Sequence, residues 1–422
     1  MRKYLLAFTW IGTICCGLMW NNVEAQNIEY SKQIIRELCN EKYAGRGYVD
    51  DGVNKAADYL GEQFRALKLK PVGKSFFQTY AFPVNTHPFP IRCTLDAQVM
   101  RTGADFLLSP GCQRISGQFN LLHFYPKDSL EKVLLFKKIQ QGFEANEALV
   151  LHKSTERDKL IEDSCAHYKH YPSLIIYSEE KKMTHSVSTD TDERPVLIFM
   201  DSVIKNKDKL TIDANHHFIE SFSCKNIIGS IKGRKKDSFI VFSAHYDHLG
   251  KQGQDAMFPG ASDNASGCSM LLYLADYYSK HKPDYTTIFI LFSGEEAGLL
   301  GSDYFTTHPT FNIQSIKMLV NIDIMGSAEN GITVVNGETF KPQFDLLTQI
   351  NQQHKYLPEV KIRGKARNSD HYHFSEKGIP AFFIYSMGGP GNYHDIYDKA
   401  DTLPLTHYED VAKLLIDFVK SL

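Results

Sequence analysis

Net charge is almost absent: 47 Lys+Arg against 49 Asp+Glu leave a formal −2. That balance gives no electrostatic footprint for nucleic acid or an acidic membrane surface. Cysteine is scarce, eight in 422 residues, and no pair stands in C-x-x-C spacing. The usual all-cysteine zinc sites are thereby excluded. Beyond the first twenty residues no apolar run approaches the roughly 20 residues a membrane span needs. There is no internal repeat at solenoid periods and no low-complexity tract. What remains has ordinary globular proportions, at a length that calls for two or three domains.

The start of the chain is an exception to this texture. Arg2 and Lys3 precede an apolar run from Tyr4 to Trp20, and Val23-Glu24-Ala25 stands before Gln26. This reads as a secretory signal peptide, residues 1–25, cleaved after Ala25. Cys15 and Cys16 follow Ile14 and Cys15 rather than a small residue, which argues against a lipoprotein signal. The expectation is an exported protein, periplasmic or secreted, with no stable membrane span after cleavage. Six cysteines then remain: Cys39, Cys93, Cys112, Cys165, Cys224 and Cys268. Six allow about 15 complete pairings, and sequence does not choose among them. Cys268 reads as a small core residue.

The chain is organised around S-A-H-Y-D-H-L-G, a ten-residue loop and A-S-D-N-A-S-G, from Ser243 to Gly267. An apolar strand, Phe239 to Phe242, leads into His245. Side chains two apart on an extended chain point the same way, so His245 and Asp247 leave the strand end together. A carboxylate beside an imidazole is a common way to fix a metal-binding tautomer. Asp263 follows the loop, and Asn264 to Ser279 has the pattern of a helix. By itself an H-x-D is also an ordinary hydrogen-bonded pair.

Three further apolar strands follow the same plan. Thr286 to Phe292 ends in S-G-E-E-A-G-L-L-G-S with Glu295 and Glu296. Lys317 to Ile322 ends in N-I-D-I-M-G with Asp323, and Phe382 to Tyr385 precedes Y-H-D-I-Y-D with His394. Acids at a helix start have their own rationale. Four strands each delivering Asp, Glu or His at their C-terminal ends are harder to explain separately. Open α/β sheets place ligands there, so His245, Asp263, Glu296, Asp323 and His394 together read as a metal centre.

In order, these blocks and S-D-H-Y-H-F-S-E-K-G-I-P-A, Ser369 to Ala381, resemble those of the co-catalytic di-zinc aminopeptidases. That family includes bacterial leucyl-type aminopeptidases and glutamate carboxypeptidase II. The resemblance is close from Asp237 to Thr402 and loose from Glu29 to Phe82. It implies two Zn2+ per chain bridged by Asp263, with His245 and Asp323 on one ion and Glu296 and His394 on the other. It further implies Glu295 as general base, Asp247 orienting His245, Tyr393 polarising the scissile carbonyl, and a cis Asp263–Asn264 peptide. The implied activity is removal of N-terminal residues from peptides with a free N-terminus. Glutaminyl cyclases, carboxypeptidases or dipeptidases, and non-catalytic receptor-like ectodomains share the fold and remain alternatives.

The rest of the chain frames this region. Glu29 to Leu69 has helical texture, with Val53, Ala56, Ala57, Leu60, Phe64 and Leu67 on one face after a break at Gly45-Arg46-Gly47. Residues 26–82 are expected to be the N-terminal part of the peptidase unit, serving packing rather than catalysis. Residues 83–222 carry short apolar runs between polar stretches and read as a smaller, β-rich insert. Its position resembles that of the protease-associated domain in relatives. Its histidines (His152, His167, His170, His185, His216, His217) lack ligand spacing and read as surface residues. Residues 223–422 alternate strands and helices, which predicts an α/β/α sandwich around a mixed, mainly parallel sheet. Gln343–Gln353 and Thr406–Ser421 are expected helices. Asp370 and His371 read equally as a functional pair or a helix start.

Overall fold

The structure, a computed structural model, describes residues 28–125, 129–152 and 172–422. Its centre is four adjacent parallel strands in the order Tyr285–Phe292, Lys235–His245, Ile316–Asp323 and Ala381–Ser386. They are buried on both faces, which is why they read as continuous apolar runs. Phe242, Phe289, Val320 and Phe382 share one core with the helices Gly267–Lys280, Lys341–His354 and Tyr408–Ser421. Val241, Ile290, Leu319 and Ala381 pack on the other side with Phe305 and Phe374. Antiparallel strands flank the parallel centre, His217–Ile231 at one side and Ile332–Val335 at the other. The architecture is an α/β/α sandwich around a mixed sheet.

Register aligns the chemistry. His245 pairs with Phe292, three residues before Glu295, and Asp323 pairs with Tyr385. The C-terminal ends of all four strands therefore share one edge. The helix expected from Asn264 begins at Gly267; Ala261–Ser266 is a wide turn in which Asp263 and Asn264 have extended φ values of −112° and −129°. Asn264 Oδ1 accepts from the Gly267 N–H at 2.9 Å, and its Nδ2 donates to Ile322 O at 3.1 Å. Those bonds hold the turn against the Asp323 strand and delay the helix. The Asp263–Asn264 peptide is cis.

At the N-terminal side the expected helical stretch is two helices, Ile28–Leu38 and Gly52–Ala66, on either side of the expected break at Gly45-Arg46-Gly47. Between them the backbones of Gly45 and Gly47 run against Gly250; a Cβ at Gly47 would lie 2.4 Å from Gly250 Cα. Only glycine permits that approach.

A second, eight-stranded sheet is built from Arg92 to Ala214, with its own core of Leu95, Phe106, Leu121, Val150, Ile176 and Phe199. Residues 83–86 and 217–222 do not lie in it: strands Phe77–Thr86 and His217–Ile231 pair antiparallel and belong to the first sheet. Two of the histidines expected at the surface, His152 and His185, are buried. His152 is 4% exposed, with Nδ1 2.7 Å from Asp201 Oδ1 and Nε2 2.8 Å from His123 Nδ1. His185 is buried and stacks on Phe258. The residues they pack against are distant in sequence, which spacing along the chain does not reveal. His216 is half-buried and His217 exposed, while His167 and His170 lie outside the described residues.

Cys39, Cys93, Cys112, Cys224 and Cys268 are free thiols; Cys165 lies outside the described residues, as does the leader expected over residues 1–25. Among the described residues no helix is long and apolar enough to cross a membrane.

Candidate metal centre

Five side chains from four strand ends converge at the sheet edge. His245, Asp263 and Asp323 each offer a donor atom within 4.8 Å of the others, and His248, Asp263 and Glu296 do the same. Asp263 belongs to both groups. His245 Nε2 lies 3.2 Å from Asp263 Oδ1 and 3.4 Å from Asp323 Oδ2. His394 Nε2 lies 3.0 Å from Asp263 Oδ2 and 3.2 Å from Glu296 Oε2. Asp263 Oδ1, Asp323 Oδ1 and His394 Nε2 are nevertheless buried without an aligned hydrogen bond. Donor atoms bound tetrahedrally to zinc at about 2.0–2.2 Å stand roughly 3.3 Å apart. The spacings and the orphaned atoms fit an ion at each group better than a closed hydrogen-bond network.

Burial and mutual charge set the electrostatics. Burial disfavours a charged His245, but Glu295 and Asp323 outweigh it and push its pKa well up. Burial likewise opposes His394, yet Glu296 and Asp263 hold it up at about 11. Asp263 is driven well below the usual carboxylate range: burial works against this, and His245 and His394 overcome it. Burial raises Asp323 to about 6 and, with Glu296 adjacent, lifts Glu295 well above an ordinary glutamate. Carboxylates and imidazoles crowded this way are arranged for a cation.

The supports come from well-separated parts of the chain. Asp247 accepts the backbone N–H groups of Glu295 and Glu296 at 3.3 Å each and the Tyr48 hydroxyl at 3.1 Å. Its Oδ1 is 3.7 Å from His245 Nδ1, while its backbone carbonyl is nearer at 3.2 Å. Asp247 thus fixes the two glutamates as much as the histidine. Asp398 accepts from the N–H groups of Ser262 and Asp263 at 2.9–3.1 Å, tying the Asp263 turn to the His394 loop. Arg46 is fully buried and donates to the carbonyls of Leu38, Tyr246, Pro259 and Gly260. Three of those acceptors, Tyr246, Pro259 and Gly260, lie within four residues of His245, Asp247 or Asp263.

Every expected ligand therefore reaches the centre. Tyr393 is 49% exposed at its mouth, its ring stacked on His394 at 3.7 Å. Burial and the carboxylates Asp263 and Glu296 push its hydroxyl pKa up, so it stays protonated. Asp370 is buried within the field of His245, Asp247 and Asp323 and is lifted to about 7, chiefly by burial. It is also the residue before a short helix, His371–Ser375. Four contributors had no assigned role from sequence: Arg46, Tyr48, His248 and Asp398. His248 Nδ1 is 2.7 Å from Glu296 Oε1 in an aligned hydrogen bond. A signal existed for two of them, since His248 stands three residues after His245 and Asp398 four after His394. Tyr48 and Arg46 act from about 200 residues away, with no local signal.

The fold and this centre define a metallopeptidase-type α/β unit. Residues 226–419 match Peptidase family M28. A "Probable leucine aminopeptidase" of Arthroderma otae is 28% identical over 220 residues, 49% of this chain and 59% of that protein. A "Vacuolar membrane protease" of Schizophyllum commune is 39% identical over 184 residues, 42% of this chain and 19% of that protein. The chain thus matches less than two thirds of these relatives' lengths. Among solved structures, BSAP, a zinc aminopeptidase from Bacillus subtilis, superposes with a TM-score of 0.68 at 16% identity, over 93% of this chain and 94% of that one. The aminopeptidase from Aneurinibacillus sp. strain AM-1 gives 0.64 at 19%, over 94% and 93%. These two share the fold.

Proposed function

We propose that the protein is a di-zinc aminopeptidase that hydrolyses N-terminal residues from peptides. The observation that carries the reading is Asp263, whose two carboxylate oxygens face separate histidines, His245 and His394, at 3.2 and 3.0 Å. One carboxylate serving two donor groups is what a paired-ion site requires. His245 and Asp323 would hold one ion, Glu296 and His394 the other. His248 is assigned as support on the strength of the aligned 2.7 Å bond between its Nδ1 and Glu296, its Nε2 being buried without a hydrogen-bond partner; such partners orient ligands and tune them. When bound, the zinc ions supply the Lewis acidity that activates water and polarises a carbonyl.

The chain's own groups handle the protons. Glu295, displaced upward by burial, takes the proton of the attacking water and passes one to the departing amine. Asp247 fixes the backbone of both glutamates, so Glu296 faces the ion site while Glu295 is left to the water. Tyr393, protonated at the mouth, donates to the oxyanion. We further assign residues 1–25 as an export leader and the second sheet's region as a protease-associated-like insert.

Two measurements test this. Metal analysis of the wild type should give two zinc ions per chain, and Asp263→Asn should lose both or nearly both. A peptide with a free N-terminus should release that residue, whereas its acetylated counterpart, stripped of the amine's charge, should not. Release from the C-terminus alone, or equal cleavage of blocked and free peptides, overturns the aminopeptidase assignment. Ammonia release from an N-terminal glutamine peptide with one bound zinc would point to a cyclase.

A further inference from the structure

Ile396 and Tyr397, two and three residues beyond His394, form one wall of a groove of about 610 Å³. Two residues of chain span at most about 7 Å, so this wall begins next to the metal centre. Ile91, Val99 and Met100 of the second sheet's region line the groove with them. The two walls are seated together rather than merely close: a Cβ at Gly103 would lie 2.9 Å from Ile396 Cγ2 and 3.0 Å from Ala256 Cβ.

The groove leaves apolar surface in water. Val99 is 74% exposed and Tyr397 52% exposed. Its volume falls within the range of ligand-binding clefts, which combine apolar walls with a concave shape. Burying such surface is favourable by the area removed from water. An occupant that starts at the metal centre and runs along this loop enters the groove after a residue or two.

We propose that this groove receives the part of a peptide substrate beyond the scissile bond and favours apolar side chains there. The proposal rests on the aminopeptidase reading for the direction of the peptide. On that reading the N-terminal residue occupies the metal centre, and the second and third residues extend past Ile396 between the two sheets. The insert thereby selects peptides by the side chains on the leaving side of the bond cut.

The test compares leucine p-nitroanilide, Leu-Gly-Gly-Gly and Leu-Phe-Ile-Gly on the full chain. Val99→Asp, at a surface position where folding is not at stake, should raise KM for Leu-Phe-Ile-Gly about tenfold relative to the other two substrates, with kcat within about twofold. Leu130→Asp, at an exposed position on the helix Ser129–Gln141, should leave those ratios at wild type. Equal shifts on all three substrates, or none, overturn the proposal. A dimer that Val99→Asp dissociates, with unchanged kinetics, overturns it in favour of a second copy as occupant. Calorimetry with Leu-Phe-Ile-Gly separates the two levels. Weaker binding to Val99→Asp upholds the groove even if the wild type releases no leucine, which would overturn only the aminopeptidase reading. Equal binding overturns the groove.

Discussion

The backbone N–H of His185 donates to the carbonyl of His394 across 3.1 Å, so a loop from the second sheet's region grips the loop that carries His394, one of the proposed ligands. Lys182 tightens the grip, with Nζ 3.0 Å from Gly391 O and 3.0 Å from Asp395 Oδ2, one acceptor on each side of His394. Lys182→Met should lower affinity for one of the two zinc ions about tenfold, the scale found when outer partners of a metal site are lost. Activity should fall at limiting zinc and recover in excess, with the unfolding temperature nearly unchanged. Zinc titration of both proteins checks this; identical curves would show that the grip has no influence on the centre.

Arg46 presents a different kind of dependence. Its guanidinium spreads donors to four carbonyls in the buried interior. Lysine keeps the charge but offers a compact ammonium in place of a planar fork, stranding some acceptors. Each buried unsatisfied group costs about 1–3 kcal/mol, so Arg46→Lys should lose about 3 kcal/mol in denaturant unfolding. A loss under about 1 kcal/mol would mean the loops re-form around lysine.

These two residues also mark the limit of what local sequence shows. The central strands were legible because burial on both faces writes itself as unbroken apolar runs, and Asp, Glu or His then ends each run. His245, Asp263, Glu296, Asp323 and His394 could be gathered because parallel strands share one functional edge. The delayed start of the helix at Gly267 was not legible, since it depends on Asn264 reaching Ile322 on another strand. Nor were the buried states of His152 and His185. Their partners, Asp201, His123 and Phe258, come from other parts of the fold. Residue spacing carries short-range information, and those contacts are long-range.

His87 gives a pH dependence. It is 3% exposed, with Nε2 2.9 Å from Cys112 O. Burial, despite that hydrogen bond, pushes its pKa down to about 4. In the unfolded chain the imidazole protonates near about 6.5. The unfolded state therefore binds more protons below that value, and stability falls as pH drops from about 6.5 until the folded group itself protonates near 4. His87→Gln retains a donor for Cys112 and removes the titration. Between pH 7 and 4.5 the variant should lose about 2–3 kcal/mol less than the wild type, read from denaturant melts at both values. Parallel losses would show that His87 does not contribute to the acid limb.

Glu295 and Glu296 are adjacent, yet their surroundings separate them. Glu296 is bonded to His248 and lies 3.2 Å from His394, while burial and the neighbouring Glu296 charge keep Glu295 high. Glu295→Gln preserves shape and hydrogen bonding but cannot take a proton at neutral pH. It should keep both zinc ions and the fold, hold KM within a few-fold and lower kcat by about 10³–10⁴, the upper part of what a general base contributes, because one group would serve two transfers. Glu296→Gln replaces a carboxylate donor by an amide oxygen, a poorer zinc ligand. It should lose one ion first and regain part of its activity when zinc is added. Activity and bound metal have to be measured on the same samples, because either number alone would look like simple inactivation. Rescue of the Glu295 variant by zinc, with none for Glu296, would mean the two roles are exchanged.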